Sequence, residues 1–198
     1  MITKLSQLDM NGRYSYADYL TWKLKERVEL IKGKITKMSP APRVNHQKVS
    51  WNISGIFFNY FKDKTCKAFS APIDVSLYDK KKSVKQNQDV FTVVQPDLCV
   101  ICDLEKLNEY GCMGAPDLII EILSPGNSKK EMRTKYDLYE EAGVREYWVA
   151  DPEHQTVHIF VMDETEHYKT AGIYVSDDVM TAQIFPDLHV DLAEVFAD

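Results

Sequence analysis

The amino-acid sequence predicts an α/β fold, a mixed β-sheet flanked by helices, and three patterns carry that expectation. From about Asn45 to Phe61 the residues Val49, Ile53, Ile56, Phe57 and Tyr60 recur at helical intervals. Ala115-Pro-Asp-Leu-Ile-Ile-Glu-Ile-Leu is a nearly continuous apolar run, typical of a strand buried on both faces. Behind it come a capped helix and the strand-like VREYWVA of Val144 to Ala150.

In chain order, Ser15 to Lys25 is expected to be helical, with Tyr16, Tyr19, Leu20 and Leu24 at three- and four-residue spacings. Arg27 to Met38 alternates about Lys32-Gly33, the signature of a hairpin. Pro40 and Pro42 end that pattern before the helix of Asn45 to Phe61. One strand is expected over Ala68 to Leu77, and another over Val90 to Cys102 around Pro96. The lysine-rich segment Asp79 to Asn87 and the segment Asp103 to Gly114 read as loops. Ser128 and Glu131 have the form of a capping box, opening a helix that should run to about Ala142 and stop at Gly143. The remainder, with Val157-His-Ile-Phe-Val and Ile184-Phe-Pro-Asp-Leu, reads as a β-rich tail on the same core.

The chain has 198 residues, 44% of them hydrophobic, which suits one domain with a real core. No run of about 18 apolar residues is present, so no membrane association is expected. The N-terminus lacks the apolar run and small-residue cleavage site of a secretory signal, so a cytoplasmic location is expected. A net charge of −6 argues against a general nucleic-acid binder. Basic residues are uneven, however: Lys80, Lys81, Lys82 and Lys85 cluster, as do Lys129, Lys130, Arg133 and Lys135.

Cys99 and Cys102 form a C-x-x-C, the spacing of a redox pair or half a zinc site. A strand would send their side chains apart, and no second pair completes a tetrahedral set. Cys66, Cys99, Cys102 and Cys112 are therefore read as ordinary buried or half-buried thiols.

Asp97 and Glu121 are carboxylates inside apolar strands, a costly placement unless each is paired, hydrogen-bonded or bound to a metal. Two reconcilable readings stay open. Each acid has a private cationic or backbone partner, or a Mg²⁺ or Mn²⁺ ion lies between them and relieves their repulsion. On the following helix Lys135 shares a face with Glu131 and Tyr139. It either pairs with Glu131 or reaches back towards the acids. Carboxylates, a metal-activated water and an orienting cation are the parts of metal-assisted phosphodiester hydrolysis.

Pro96-Asp97, Pro116-Asp-Leu-Ile-Ile-Glu121-Ile-Leu-Ser-Pro-Gly-Asn, Lys135-Tyr-Asp-Leu-Tyr139 and Gly143-Val-Arg-Glu-Tyr-Trp148-Val-Ala-Asp-Pro152 together resemble the Uma-two family of restriction-endonuclease-like proteins. Val28-Glu29-Leu-Ile-Lys-Gly-Lys-Ile and Asn45-His46 match its N-terminal pattern, and Phe185-Pro-Asp-Leu188 its end. The resemblance covers roughly Tyr14 to Phe160 and implies a single PD-(D/E)XK nuclease-like domain over 1–198. Its core would span about 26–161, with an extra N-terminal hairpin and a C-terminal β-rich extension over about 162–198.

By that resemblance the chain is a Mg²⁺- or Mn²⁺-dependent DNA endonuclease, or alternatively a silent module that binds nucleic acid or a protein. Asp97 and Glu121 would be the first and second acids and Glu29 an additional metal-site acid. Lys135 would replace the motif lysine, whose usual place is held by Leu123. Independently of the resemblance, His46 either contacts phosphate or exchanges a proton, or it caps or packs near the start of its helix. Tyr139 and Trp148 are expected in the core and Asp117 in a structural role. A homodimer is expected if both strands of a duplex are cut.

Overall fold

The computed structural model describes residues 1–38, 43–78, 89–125 and 129–197. Pro40, Pro42, the lysine-rich segment 79–87 and the Ser128 cap lie outside these residues. Among the described residues are four α-helices and fourteen strands, and the strands form two six-stranded mixed sheets and a two-stranded one. The expected central mixed sheet is thus found, with a second sheet of equal size beside it.

Helix α1, Tyr16–Tyr19, is opened by Ser15, whose hydroxyl accepts the Asp18 amide while the Asp18 carboxylate accepts the Ser15 amide. It is one turn long, shorter than the predicted segment. Strands β1, Val28–Ile31, and β2, Lys34–Lys37, form the predicted hairpin, with Ile31 opposite Lys34. Lys32 and Gly33 both take positive φ (51° and 87°), which the tight two-residue turn demands and glycine supplies readily. Helix α2 follows at Val44–Phe61.

Each of the two long predicted strands is two strands, β3 (Lys67–Ser70) and β4 (Asp74–Leu77), then β5 (Thr92–Val94) and β6 (Leu98–Ile101). In both cases the chain changes sheet at the break, beside Pro72 and Pro96. A proline has no N–H for the ladder, so a strand cannot simply run through it. The predicted loop 103–114 contains a small hairpin, β7 (Leu107–Asn108) and β8 (Gly111–Met113).

Strand β9, Leu118–Ile122, helix α3, Lys129–Ala142, and strand β10, Glu146–Asp151, make a parallel crossover. Gly143 closes α3 with φ 88°. Then follow β11 (Thr156–Met162), β12 (Tyr168–Val175), β13 (Val179–Thr181), β14 (His189–Asp191) and α4 (Leu192–Val195). One large sheet runs β2-β1-β5-β4-β8-β7 and the other β12-β11-β10-β9-β6-β3.

Both faces of the second sheet are covered, which explains the unbroken apolar runs of β6 and β9. On one face Val49, Ile53, Phe57 and Phe61 of α2 pack on Leu98, Val100, Leu118, Ile120 and Trp148. C-terminal residues, including Leu188, Val190, Leu192 and Val195, complete that cluster. On the other face Cys99, Ile101 and Ile119 meet Leu138 and Tyr139 of α3 and Val75 and Val94 of the first sheet.

Glu146 is wholly buried in this core. It accepts the Trp148 indole N–H at 2.6 Å and the backbone amides of Gln183 and Ile184 at 3.1 and 2.8 Å. Burial pushes its carboxyl above the ordinary range, and these donors pull against that. The acid therefore ties the C-terminal segment to the sheet.

The cysteines correct the sequence reading. Cys66 and Cys102, beside the paired residues Lys67 and Ile101, form a disulfide, while Cys99 and Cys112 are free and buried. Burial pushes the Cys112 thiol up to about 12, and Cys99 rises too.

Glu146→Ala should lower the unfolding free energy by about 2–3 kcal/mol in a urea titration, because it strands buried N–H donors. A loss near zero would contradict the anchoring role. A thiol titration of unfolded, unreduced protein should count two cysteines, and four after reduction.

Candidate active site

Asp97 and Glu121 meet through strand register. Leu98 lies opposite Ile120 and Cys99 opposite Ile119 on antiparallel β6 and β9, so one step further places Asp97 beside Glu121. Both acids share the parity of Cys99 and Ile119, the face covered by α3. The Ile122 amide donates to Asp97 Oδ2 at 2.8 Å and fixes that carboxylate to the end of β9.

Lys135 reaches this corner from α3. Its ammonium donates to Glu121 Oε1 at 3.1 Å and to Glu29 Oε1 on β1 at 2.6 Å. The three side chains are only 18%, 18% and 7% exposed respectively for Lys135, Glu121 and Glu29, so water screens the pair poorly. Of the two partners left open for Lys135, the acids hold it. Tyr139, one turn further along α3, donates its hydroxyl to the same Glu121 oxygen.

Charge crowding shows in the protonation equilibria. Burial, then the neighbouring Asp97 and Glu29 charges, hold Glu121 well above the usual carboxylate range despite the opposing pull of Lys135. Burial alone would lower Lys135, but Glu121 and Glu29 outweigh it and keep the ammonium charged.

His46, in the first turn of α2, stands 3.3 Å from Asp97 Oδ1 through Nε2. Its side chain is 8% exposed, and its buried Nδ1 has no hydrogen-bond partner among the described residues. Burial lowers its pKa, but Asp97 and then Glu121 raise it further, leaving the imidazole above its ordinary value. The five sequence-predicted site residues, Glu29, His46, Asp97, Glu121 and Lys135, therefore stand in one corner.

Three supporting groups were not predicted. Tyr139 lies in the core, as its sequence position predicts, and its hydroxyl also serves Glu121. Its spacing of four residues from Lys135 was the available signal. Gln95 donates its amide to Glu29 Oε1 at 3.0 Å and its side chain to Asp74 Oδ1 at 2.7 Å. Arg27 in turn holds Gln95 Oε1. Asp117 is structural as expected, accepting the Cys102 amide and facing Arg145 at 3.2 Å.

A hard divalent cation fits this oxygen-rich corner, because it would neutralise carboxylates whose repulsion is otherwise only partly offset. Among the described residues no group of three acids, histidines or cysteines stands together at metal-holding distance. Asp97 and Glu121 are the pair that would hold such an ion, with Glu29 turned to Lys135. Two carboxylates with water and phosphate oxygens make a normal Mg²⁺ environment.

A family model described as "Putative restriction endonuclease", Uma2, matches residues 16–193. The chain belongs to the Uma2 family. The crystal structure titled as that of a "putative nuclease belonging to DUF820" from Anabaena variabilis superposes with a TM-score of 0.70 at 22% identity. That match covers 93% of this Uma2 chain and 98% of the other, and it shows a shared fold. An uncharacterized protein of Synechocystis sp. is 25% identical over 129 residues, 64% of this chain. The matched part spans 62% of that relative's length.

In this Uma2 protein, Lys135→Met should cost about 3 kcal/mol of stability, since it leaves buried acids without their counter-charge. Adding Glu121→Gln should recover part of the loss in a double-mutant cycle. Strictly additive losses would show that the ammonium and Glu121 are not coupled.

Proposed function

We propose that this protein is a Mg²⁺- or Mn²⁺-dependent endonuclease that hydrolyses phosphodiester bonds of DNA in the cytoplasm. The observation that carries this reading is the meeting of Asp97, Glu121 and the Lys135 ammonium at the ends of two core strands. Asp97 and Glu121 would hold the metal, with Glu29 as the additional acid beside them. A bound divalent cation would supply Lewis-acid polarisation of the phosphate and an acidified water.

The protein's own groups do the rest. Glu29 and Tyr139 fix the position of Lys135 and Glu121 before substrate arrives, so little reorganisation is left for the reaction. The Lys135 ammonium, kept charged, orients the attacking water or neutralises charge on a non-bridging phosphate oxygen. The Ile122 amide holds the Asp97 carboxylate in one orientation. His46, drawn towards its protonated form by Asp97, steadies that carboxylate through Nε2, and any proton it passes to phosphate or the departing oxygen leaves by that nitrogen, since Nδ1 is buried.

One site cuts one strand at a time, and a two-fold pair of copies can cut both strands of a duplex together. The second reading is a silent module that binds nucleic acid or a protein. It is favoured by the internal ion pair, through which Lys135 already neutralises much of the acidic corner.

Purified protein with Mg²⁺ or Mn²⁺ should nick supercoiled plasmid, and chelation should stop it. Asp97→Asn and Glu121→Gln should each lower the rate by at least about 100-fold, and Lys135→Met by a comparable factor. Nicking that persists in both acid variants would sink the assignment of the site. No nicking by folded wild-type protein, together with retained DNA binding, would establish the silent reading.

A further inference from the structure

Helix α2 presents large aromatic rings to solvent. Trp51 is 79% exposed and Phe58 67%, and they lie on one side of the helix, two turns apart. Gly55 stands between them, and a Cβ there would meet nothing within 4 Å. The rings form one bank of a groove of about 780 Å³ between α2 and strand β3. Trp51 and Phe58 lie outside the apolar clusters of the core, so their exposure has no packing explanation.

The groove is also charged in one sense. Lys62 and Lys67 line it, and no acid among the described residues does, in a chain whose net charge is −6. It runs up to the strand end that carries Asp97, on the α2 face of the sheet. Ser70 and Leu98 line it and pair in register, Leu98 follows Asp97 directly, and the Ala71 amide donates to the Asp97 carbonyl at 2.9 Å.

We infer that this groove binds an unpaired stretch of nucleic acid and leads it to Asp97, its bases stacking on Trp51 and Phe58 and its phosphates facing Lys62 and Lys67. The inference rests on the nuclease reading for the direction of the strand, and it refines the substrate class. Aromatic rings recognise the faces of bases, which a duplex hides inside its stack and a single strand offers. Ammonium groups beside the rings take the phosphates. A second copy of this chain suits the face less well, because a two-fold contact sets one wholly positive patch against another.

The test uses a fluorescein-labelled 15-nucleotide oligothymidylate and a blunt 15-base-pair duplex, titrated in chelator so that nothing is cut. Oligothymidylate should quench Trp51 fluorescence and bind at least about tenfold more tightly than the duplex. Trp51→Ala with Phe58→Ala should weaken oligothymidylate on the order of 100-fold, and Lys62→Ala should reduce the salt slope by about 0.7.

Unchanged oligothymidylate affinity in the double aromatic variant overturns the inference. So does a loss of self-association, in sedimentation, without a loss of affinity. Both rings project into solvent, so their removal takes nothing from the core, and a thermal melt checks this. If the double variant loses oligothymidylate but still nicks plasmid duplex at the wild-type rate, the groove does not feed the site and the inference falls, while the nuclease reading stands. If binding behaves as stated and no metal supports cleavage, the groove stands and the nuclease reading falls.

Discussion

A lysine ammonium held between two carboxylates is what lets β1, β9 and α3 share one buried corner. Without the Lys135 charge, Glu29, Asp97 and Glu121 would be three acids crowded in poorly hydrated space, and one or more would have to take up protons. With it, one positive charge serves acids from both sheets, since β1 belongs to one and β9 to the other. The contact is therefore a fastener between layers as well as part of the chemistry. Its incompleteness matters too, because Glu121 still sits above the ordinary carboxylate range and has an appetite for further positive charge.

The layers around that corner divide the labour. The sheet carrying Asp97 and Glu121 is clamped by α2 on one side and by α3 with the first sheet on the other. Such double coverage keeps the strand ends in register, and register alone decides that the two acids are neighbours. The outer groups, Gln95, Asp74 and Arg27, then limit how far Glu29 can swing.

Much of this was legible in the residues. The hairpin of β1 and β2 is written in Lys32-Gly33, helix α2 in its apolar period, and β9 in a run too apolar for a half-exposed strand. The acids could be found because ionised groups inside such runs require a reason. What could not be read was which strands share a sheet: alternation continues past Pro72 and Pro96, although the chain leaves one sheet for the other there. The disulfide was hidden for a related reason. Cys99 and Cys102 are close in sequence, whereas Cys66 and Cys102 are close only through antiparallel pairing. The resemblance carried the roles of Glu29 and Lys135, which no local pattern would have joined across so much intervening chain.

The long separation between α2 and its C-terminal cover has a consequence for synthesis. His46 rides on α2, whose apolar side is closed partly by Leu192 and Val195, and Asn52 is held by the Val195 carbonyl. At ribosomal rates those partners emerge roughly seven to twenty-seven seconds after the helix itself. Through that interval the apolar side of α2 is incompletely covered, which exposes the nascent chain to aggregation. Premature termination even shortly before α4 would release a chain that has every residue of the acidic corner and no finished floor beneath it.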